Sequence, residues 1–221
     1  MSIIATVFLP EGIAMAADSR LTGLTTHEDG TKDRRTLSDN SQKLFLIKDG
    51  TIGVSCCGDA RIGGKSVGDF IRSFEIDLVK EEDNITDITY KLRDYTKEKH
   101  GKGVIYHLCG YHNDLQYVYS ITSDLEIIRP NLNKENNIVA GASFDGETDI
   151  LMGLMTYNKG MNIDWQFMQL KDGIDFAEFM VDLTIKTQRF SKGLATCGGA
   201  IDQLVITKDY AKFIKHKILH P

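Results

Sequence analysis

The sequence predicts an α+β protein: two antiparallel sheets stacked face to face with a helix pair outside each, a four-layer αββα sandwich. Three observations carry this. Strand-like and helix-like segments come in groups (strands, two helices, strands, two helices, strands) instead of alternating as βαβ units do. The first two strand segments are apolar at nearly every position, as expected of strands covered on both faces. A chain of 221 residues with a 42% apolar fraction buries a sizeable core without staples, and residues 1–221 are expected to form one domain.

Taken in order, Ile3 to Leu9 is β-branched and apolar, Pro10-Glu11-Gly12 has turn chemistry, and Ile13 to Ala17 returns. Residues 21–42 are polar, rich in Thr and Asp and without hydrophobic periodicity, which reads as a long loop or loose hairpin. Lys43 to Ile47 and Thr51 to Cys56 make a second strand pair around Lys48-Asp49-Gly50. Residues 60–81 have Val67, Phe70, Ile71, Phe74 and Leu78 at helical spacing, and the small residues Gly63-Gly64 would let that helix pack closely. Thr86 is the expected cap of a second helix carrying Ile88, Leu92 and Tyr95. Strands are expected at Val104–Leu108, Leu115–Tyr119 and Leu125–Ile128, then a short one at Ile138–Gly141 running into a helix over 146–157. A longer helix fits 174–190, and Ala200 to Thr207 with Tyr210 to Lys215 close the chain.

Composition removes several function classes. The net charge of -5 and the acidic residues Asp29, Asp33 and Asp39 interleaved with Lys32, Arg34 and Arg35 argue against a nucleic-acid surface. Ala14-Met15-Ala16 imitates a signal-peptidase site. However, no Lys or Arg precedes Arg20, and Pro10-Glu11-Gly12 splits the apolar run. No apolar run approaches a membrane span of about 20 residues. The four cysteines (56, 57, 109, 197) lack zinc-ribbon spacing and read as reduced, buried thiols, so a soluble cytoplasmic protein is expected. His107 and Cys109 share a strand face and His112 takes the other, which favours a core or edge histidine over a metal ligand. Gly64-Lys65-Ser66 ends like a phosphate loop, but Asp59 stands where that motif needs its first glycine.

Several patterns resemble proteasome β subunits and the bacterial proteasome-like protease, members of the N-terminal-nucleophile (Ntn) hydrolases. Gly12 to Arg20 is similar to that family's second strand with its Ala-Ala-Asp-x-Arg ending. Lys43 to Ile47 resembles the strand bearing the catalytic lysine, and Gly53 to Ala60 the next strand and its glycine turn. The resemblance implies the Ntn-hydrolase fold and amide or peptide hydrolysis without metal or cofactor. It also implies assembly into a homo-oligomeric ring, and it leaves open whether an ATP-dependent unfoldase takes part. Sixteen residues before Asp18, where the family has its threonine nucleophile, stands Ser2. Methionine aminopeptidases remove Met1 when the second residue is small, which would leave an α-amine beside a primary hydroxyl.

That arrangement has a physical basis. A serine hydroxyl needs a neighbouring base, and an α-amine with a pKa of about 7.7–8.0 is partly neutral near pH 7. Lys43 would lower that pKa, Asp18 would hold Lys43 in place, and the N–H of Gly58 would meet the oxyanion. Each also has a plainer reading: an ordinary second residue, a strand end, a solvated edge, a helix-leading turn. Val139-Ala140-Gly141-Ala142-Ser143 resembles a family turn whose serine bonds the amine. Here Ala142 takes that place, so Ser143 either substitutes or caps the next helix. Cys197-Gly198-Gly199 resembles the family's Ser-Gly-Gly, with Leu194 where an aspartate is expected. A small-molecule amidase and a non-catalytic ring or scaffold subunit remain the alternatives to a peptidase.

Overall fold

The computed structural model describes residues 2–156 and 160–218. In chain order the first elements are β1 (Ile3–Leu9), β2 (Gly12–Ala17), β3 (Leu21–Thr26), β4 (Lys32–Ser38), β5 (Leu44–Ile47), β6 (Ile52–Gly58), β7 (Arg61–Ile62) and β8 (Lys65–Ser66). Helices α1 (Val67–Leu78) and α2 (Ile85–Lys99) lead to β9 (Val104–His112), β10 (Leu115–Ile121), β11 (Ile127–Ile128) and β12 (Gly141–Gly146). Then come α3 (Asp149–Thr156), α4 (Leu170–Phe190), β13 (Asp202–Ile206) and β14 (Ala211–Lys215). One sheet runs β12-β1-β2-β13-β14 and the other β11-β10-β9-β6-β5, each joined by antiparallel pairing.

Strand alternation explains why β1 needs apolar residues at nearly every position. Ile3, Ala5, Val7 and Leu9 pack with Leu151, Ala177, Met180 and Val181 of α3 and α4. Ile4 and Phe8 enter the layer between the sheets, with Met15, Leu44, Cys109, Val118 and Leu204. On the far side, Phe70, Ile71 and Phe74 of α1 and Ile88 and Leu92 of α2 pack on Val54, Tyr106 and Leu108. The α+β class and the antiparallel sheets are therefore as the sequence predicts.

A polar link lies within the layer between the sheets. Thr6, fully buried on β1, meets His107 Nδ1 at 2.9 Å, and His107 Nε2 meets Asp145 Oδ2 of β12 at 2.8 Å. His107 is a satisfied core histidine, and His112 at the end of the strand is exposed. Among the described residues no group of three or more His, Cys, Asp or Glu could hold a metal, and no helix is long and apolar enough to cross a membrane.

Of the two readings of residues 21–42 the hairpin holds, β3 paired with β4 with a register shift at Leu21/Thr22. Three expectations are corrected. The helix expected from residue 60 starts at Val67; before it β7 and β8 form a tiny hairpin, its turn made by Gly63 and Gly64 at φ 56 and 79. Those glycines make a turn and do not belong to a packed helix. The second helix is capped by Asn84, which accepts from Thr86 N and Asp87 N while Asp87 Oδ2 accepts from Asn84 N; Thr86 lies inside the helix. Finally, Ile138 makes only an isolated bridge to Leu132, and the strand is Gly141–Gly146. Pairing with β1 occupies those residues, so the helix begins at Asp149; residue 157 of the expected span lies outside the described residues.

Candidate active site

Antiparallel pairing brings the start of β1 beside the ends of β2 and β12, at one end of the sandwich. Ser2 enters β1 there and is buried. Asp18, one residue past β2, is 1% exposed and accepts four hydrogen bonds. Its Oδ1 takes Lys43 Nζ at 2.6 Å and Ile3 N at 3.0 Å, and its Oδ2 takes Gly198 N at 3.0 Å and Arg20 N at 3.1 Å. Charge-assisted bonds of this kind meet the desolvation demand of a buried carboxylate. Lys43, just ahead of β5 in the other sheet, also donates to Arg20 O at 2.7 Å. The Asp18–Lys43 ion pair therefore crosses from one sheet to the other.

Gly58 ends β6 at φ 107, and a Cβ there would lie 2.2 Å from Gly103 O, so only glycine fits. Ser2, Lys43, Cys57 and Gly58 line one pocket. Through Leu21, Thr22 and Ala60 it joins a groove of ≈ 540 Å³ between the β3–β4 hairpin and the Gly58–Arg61 turn. Leu24 and Leu37 of the hairpin line that groove, so the 21–42 segment forms its wall.

Ser143 is not part of this arrangement. It pairs with Thr6, while Gly146 pairs with Ile3. Three residues of strand, about 10 Å at about 3.4 Å each, separate the two. The glycine that approaches Ser2 is Gly146, at φ 107; a Cβ on it would lie 1.9 Å from Ser2 O. Ser143 also makes no helix cap, since α3 starts six residues later at Asp149. Leu194 is 44% exposed.

Three further residues escaped the sequence reading. Glu147 N donates to Ser2 O at 2.8 Å. Thr196 Oγ1 donates to Glu147 Oε1 at 3.1 Å, and Gln188 Oε1 of α4 accepts from Thr196 N and Cys197 N at 2.9 and 2.8 Å. These bonds fix the loop whose Gly198 holds Asp18. Arg20 clamps the same loop: it bonds Ala195 O at 3.2 Å and holds Asp39 through Nε and Nη2 at 2.7 and 2.9 Å. That bond to Arg20 keeps the Asp39 carboxyl below its usual range. Burial pushes the Cys197 thiol up, as do Asp18 and Glu147, while Lys43 pulls it down. A thiol so raised supplies little thiolate and is a poor rival nucleophile.

The two stacked antiparallel sheets and their flanking helices make an Ntn-hydrolase-like fold. The chain is similar to a solved structure of Anbu, a Gly-1 mutant from Hyphomicrobium sp. strain MC1. The match has a TM-score of 0.69 and covers 97% of this chain and 85% of that one, at 13% sequence identity, so the likeness is one of fold. No protein-family model and no curated protein sequence matches the chain.

Proposed function

We infer that the chain hydrolyses amide bonds, with peptides as the substrate class, using Ser2 as an N-terminal nucleophile after removal of Met1. The observation that carries this is the buried Asp18–Lys43 pair beside the pocket that Ser2 lines. An ion pair taken out of water costs several kcal/mol per ion before its attraction offsets that, and such pairs concentrate where charge is used.

The α-amine of Ser2 takes the hydroxyl proton, directly or through one water, as Oγ attacks the carbonyl carbon. The N–H of Gly58 meets the oxyanion and the Lys43 ammonium stabilises negative charge on Oγ. The C–N bond then breaks, the leaving amine takes the proton, and water hydrolyses the ester on Oγ. The groove walled by the hairpin receives the substrate chain. A homo-oligomeric ring in a reducing cytoplasm belongs to the same reading, and the four buried free cysteines support the second part of it.

The test is turnover of a panel of fluorogenic peptides and acyl amides. Ser2→Ala should lower kcat about 10³-fold or more while leaving the urea midpoint in place; unchanged turnover would refute the assignment. A non-catalytic subunit is the second reading, favoured by the exposed Leu194 and the remote Ser143. It requires that no substrate in the panel turns over.

A further inference from the structure

Residues 21–42 carry three large apolar side chains, Leu21, Leu24 and Leu37, among polar and charged neighbours, and all three line the groove that leads from the Ser2 pocket. A single exposed leucine is ordinary on a protein surface, but several converging on one concave wall mark a binding surface. Leu24 and Leu37 are 54% and 51% exposed. An irregularity in the hairpin brings Leu37 there. Leu21 pairs with Ser38 and Thr22 with Thr36, so the register passes over Leu37. A bulge of this kind bends its strand and re-aims a side chain, and bulges are over-represented beside active sites. Leu37 lies across Gly23, where a Cβ would meet its Cδ1 at 3.0 Å, so the glycine leaves room for it.

The groove is continuous with the Ser2 pocket, since Leu21, Thr22, Gly58, Asp59 and Ala60 line both. Its ≈ 540 Å³ falls within the range of ligand sites, about 300–1,000 Å³. The charged side chains on its wall are Asp59, Arg61 and Arg34. Asp59 Oδ2 meets His100 Nε2 at 3.0 Å, Arg61 Nη2 donates to Gly64 O at 3.1 Å, and Arg34 stands opposite Leu24 in the hairpin. Leu24 and Leu37 stay half exposed, so covering them is the gain open to a ligand in the groove.

We propose that Leu24 and Leu37 are specificity-determining residues that select peptides with a bulky apolar side chain about three residues from the scissile bond. The substrate named here rests on the hydrolase reading above. Leu21 lies at the Ser2 pocket, and Leu24 stands three residues along β3, about 10 Å at about 3.4 Å per residue. An extended substrate advances at the same rate, which sets the separation between its cleaved carbonyl and the side chain that reaches the two leucines. A Leu or Phe seated there removes apolar surface from water on both partners, whereas a Ser or Asp leaves the leucines half wet.

The test begins with binding, measured on Ser2→Ala by fluorescence anisotropy, so that it does not depend on turnover. A labelled Gly-Ser peptide carrying one central Leu should bind roughly tenfold or more tighter than its all-Gly-Ser parent. Leu24→Ser and Leu37→Ser, each made separately in case one fails to fold, should remove most of that preference, and Leu37→Met should retain it. Wild-type kcat/KM on internally quenched peptides, with the leucine moved one position at a time, should then peak about three residues from the cleavage site. Absence of a leucine preference in binding, or a preference that survives both serine variants, overturns the proposal. So does a kcat/KM peak confined to the residue beside the scissile bond. A change in sedimentation of the serine variants with peptide binding intact would place a second copy of the chain on the leucines, and also overturns it. A leucine-dependent preference in binding with no turnover of any peptide would sustain the selectivity of the groove and defeat the hydrolase reading alone.

Discussion

Asp18 shows how much of this site depends on single atoms. Its two oxygens share four donors from Lys43, Ile3, Arg20 and Gly198, and only one of the four is a side chain. Lys43→Met should therefore cost about 3–5 kcal/mol in urea unfolding, because it leaves a buried carboxylate without its counter-charge. The double variant with Asp18→Asn should recover part of that loss; a double variant whose cost equals the sum of the two single-variant costs would show that the pair contributes no coupling. Ser2, Asp18, Lys43 and Gly58 were legible because each sits at the end of a strand whose sequence pattern is strong. Glu147 and Gln188 were not, since strand register brings Glu147 to Ser2 across more than 140 residues of chain and helix packing sets Gln188 against Thr196 and Cys197. Ser143 was misplaced for the same reason: the turn was read at Gly141, and only the pairing with β1 shows that Gly146 is the glycine opposite Ile3.

At the scale of elements, β1 and β2 were readable almost to the residue because nearly every position is apolar and both faces are covered. The start of α1 was not, because Gly63-Gly64 can be read as small helix residues or as a two-residue turn, and the positive φ values show the turn. Asn84 carried its own signal, an Asn-x-x-Asp box that Thr86 obscured. The link joining β1, β9 and β12 gives an experiment of this size. Ser55 pairs across β6–β9 with His107, and its buried Oγ has no hydrogen-bond partner among the described residues. Ser55→Ala should leave stability unchanged or raise it by about 1 kcal/mol, read from the urea midpoint. His107→Ala strands Thr6 Oγ1 and Asp145 and should lower stability by about 2–4 kcal/mol. A stable His107→Ala would mean that the link contributes nothing to joining the sheets.

Across the whole molecule, three apolar layers hold two sheets and their helices rigidly enough to present strand ends from both sheets to one pocket. The grouped order of strands and helices made this architecture legible, and the likeness to Anbu is a likeness of fold at 13% identity. What the fold cannot encode is the covalent state of its first residue, on which the proposed chemistry turns. Intact mass spectrometry of the purified protein, before and after a β-lactone electrophile, addresses that state directly. The account predicts loss of Met1 and a single adduct that maps to Ser2 and is absent from Ser2→Ala. A retained Met1, or an adduct elsewhere such as Cys197, would contradict it.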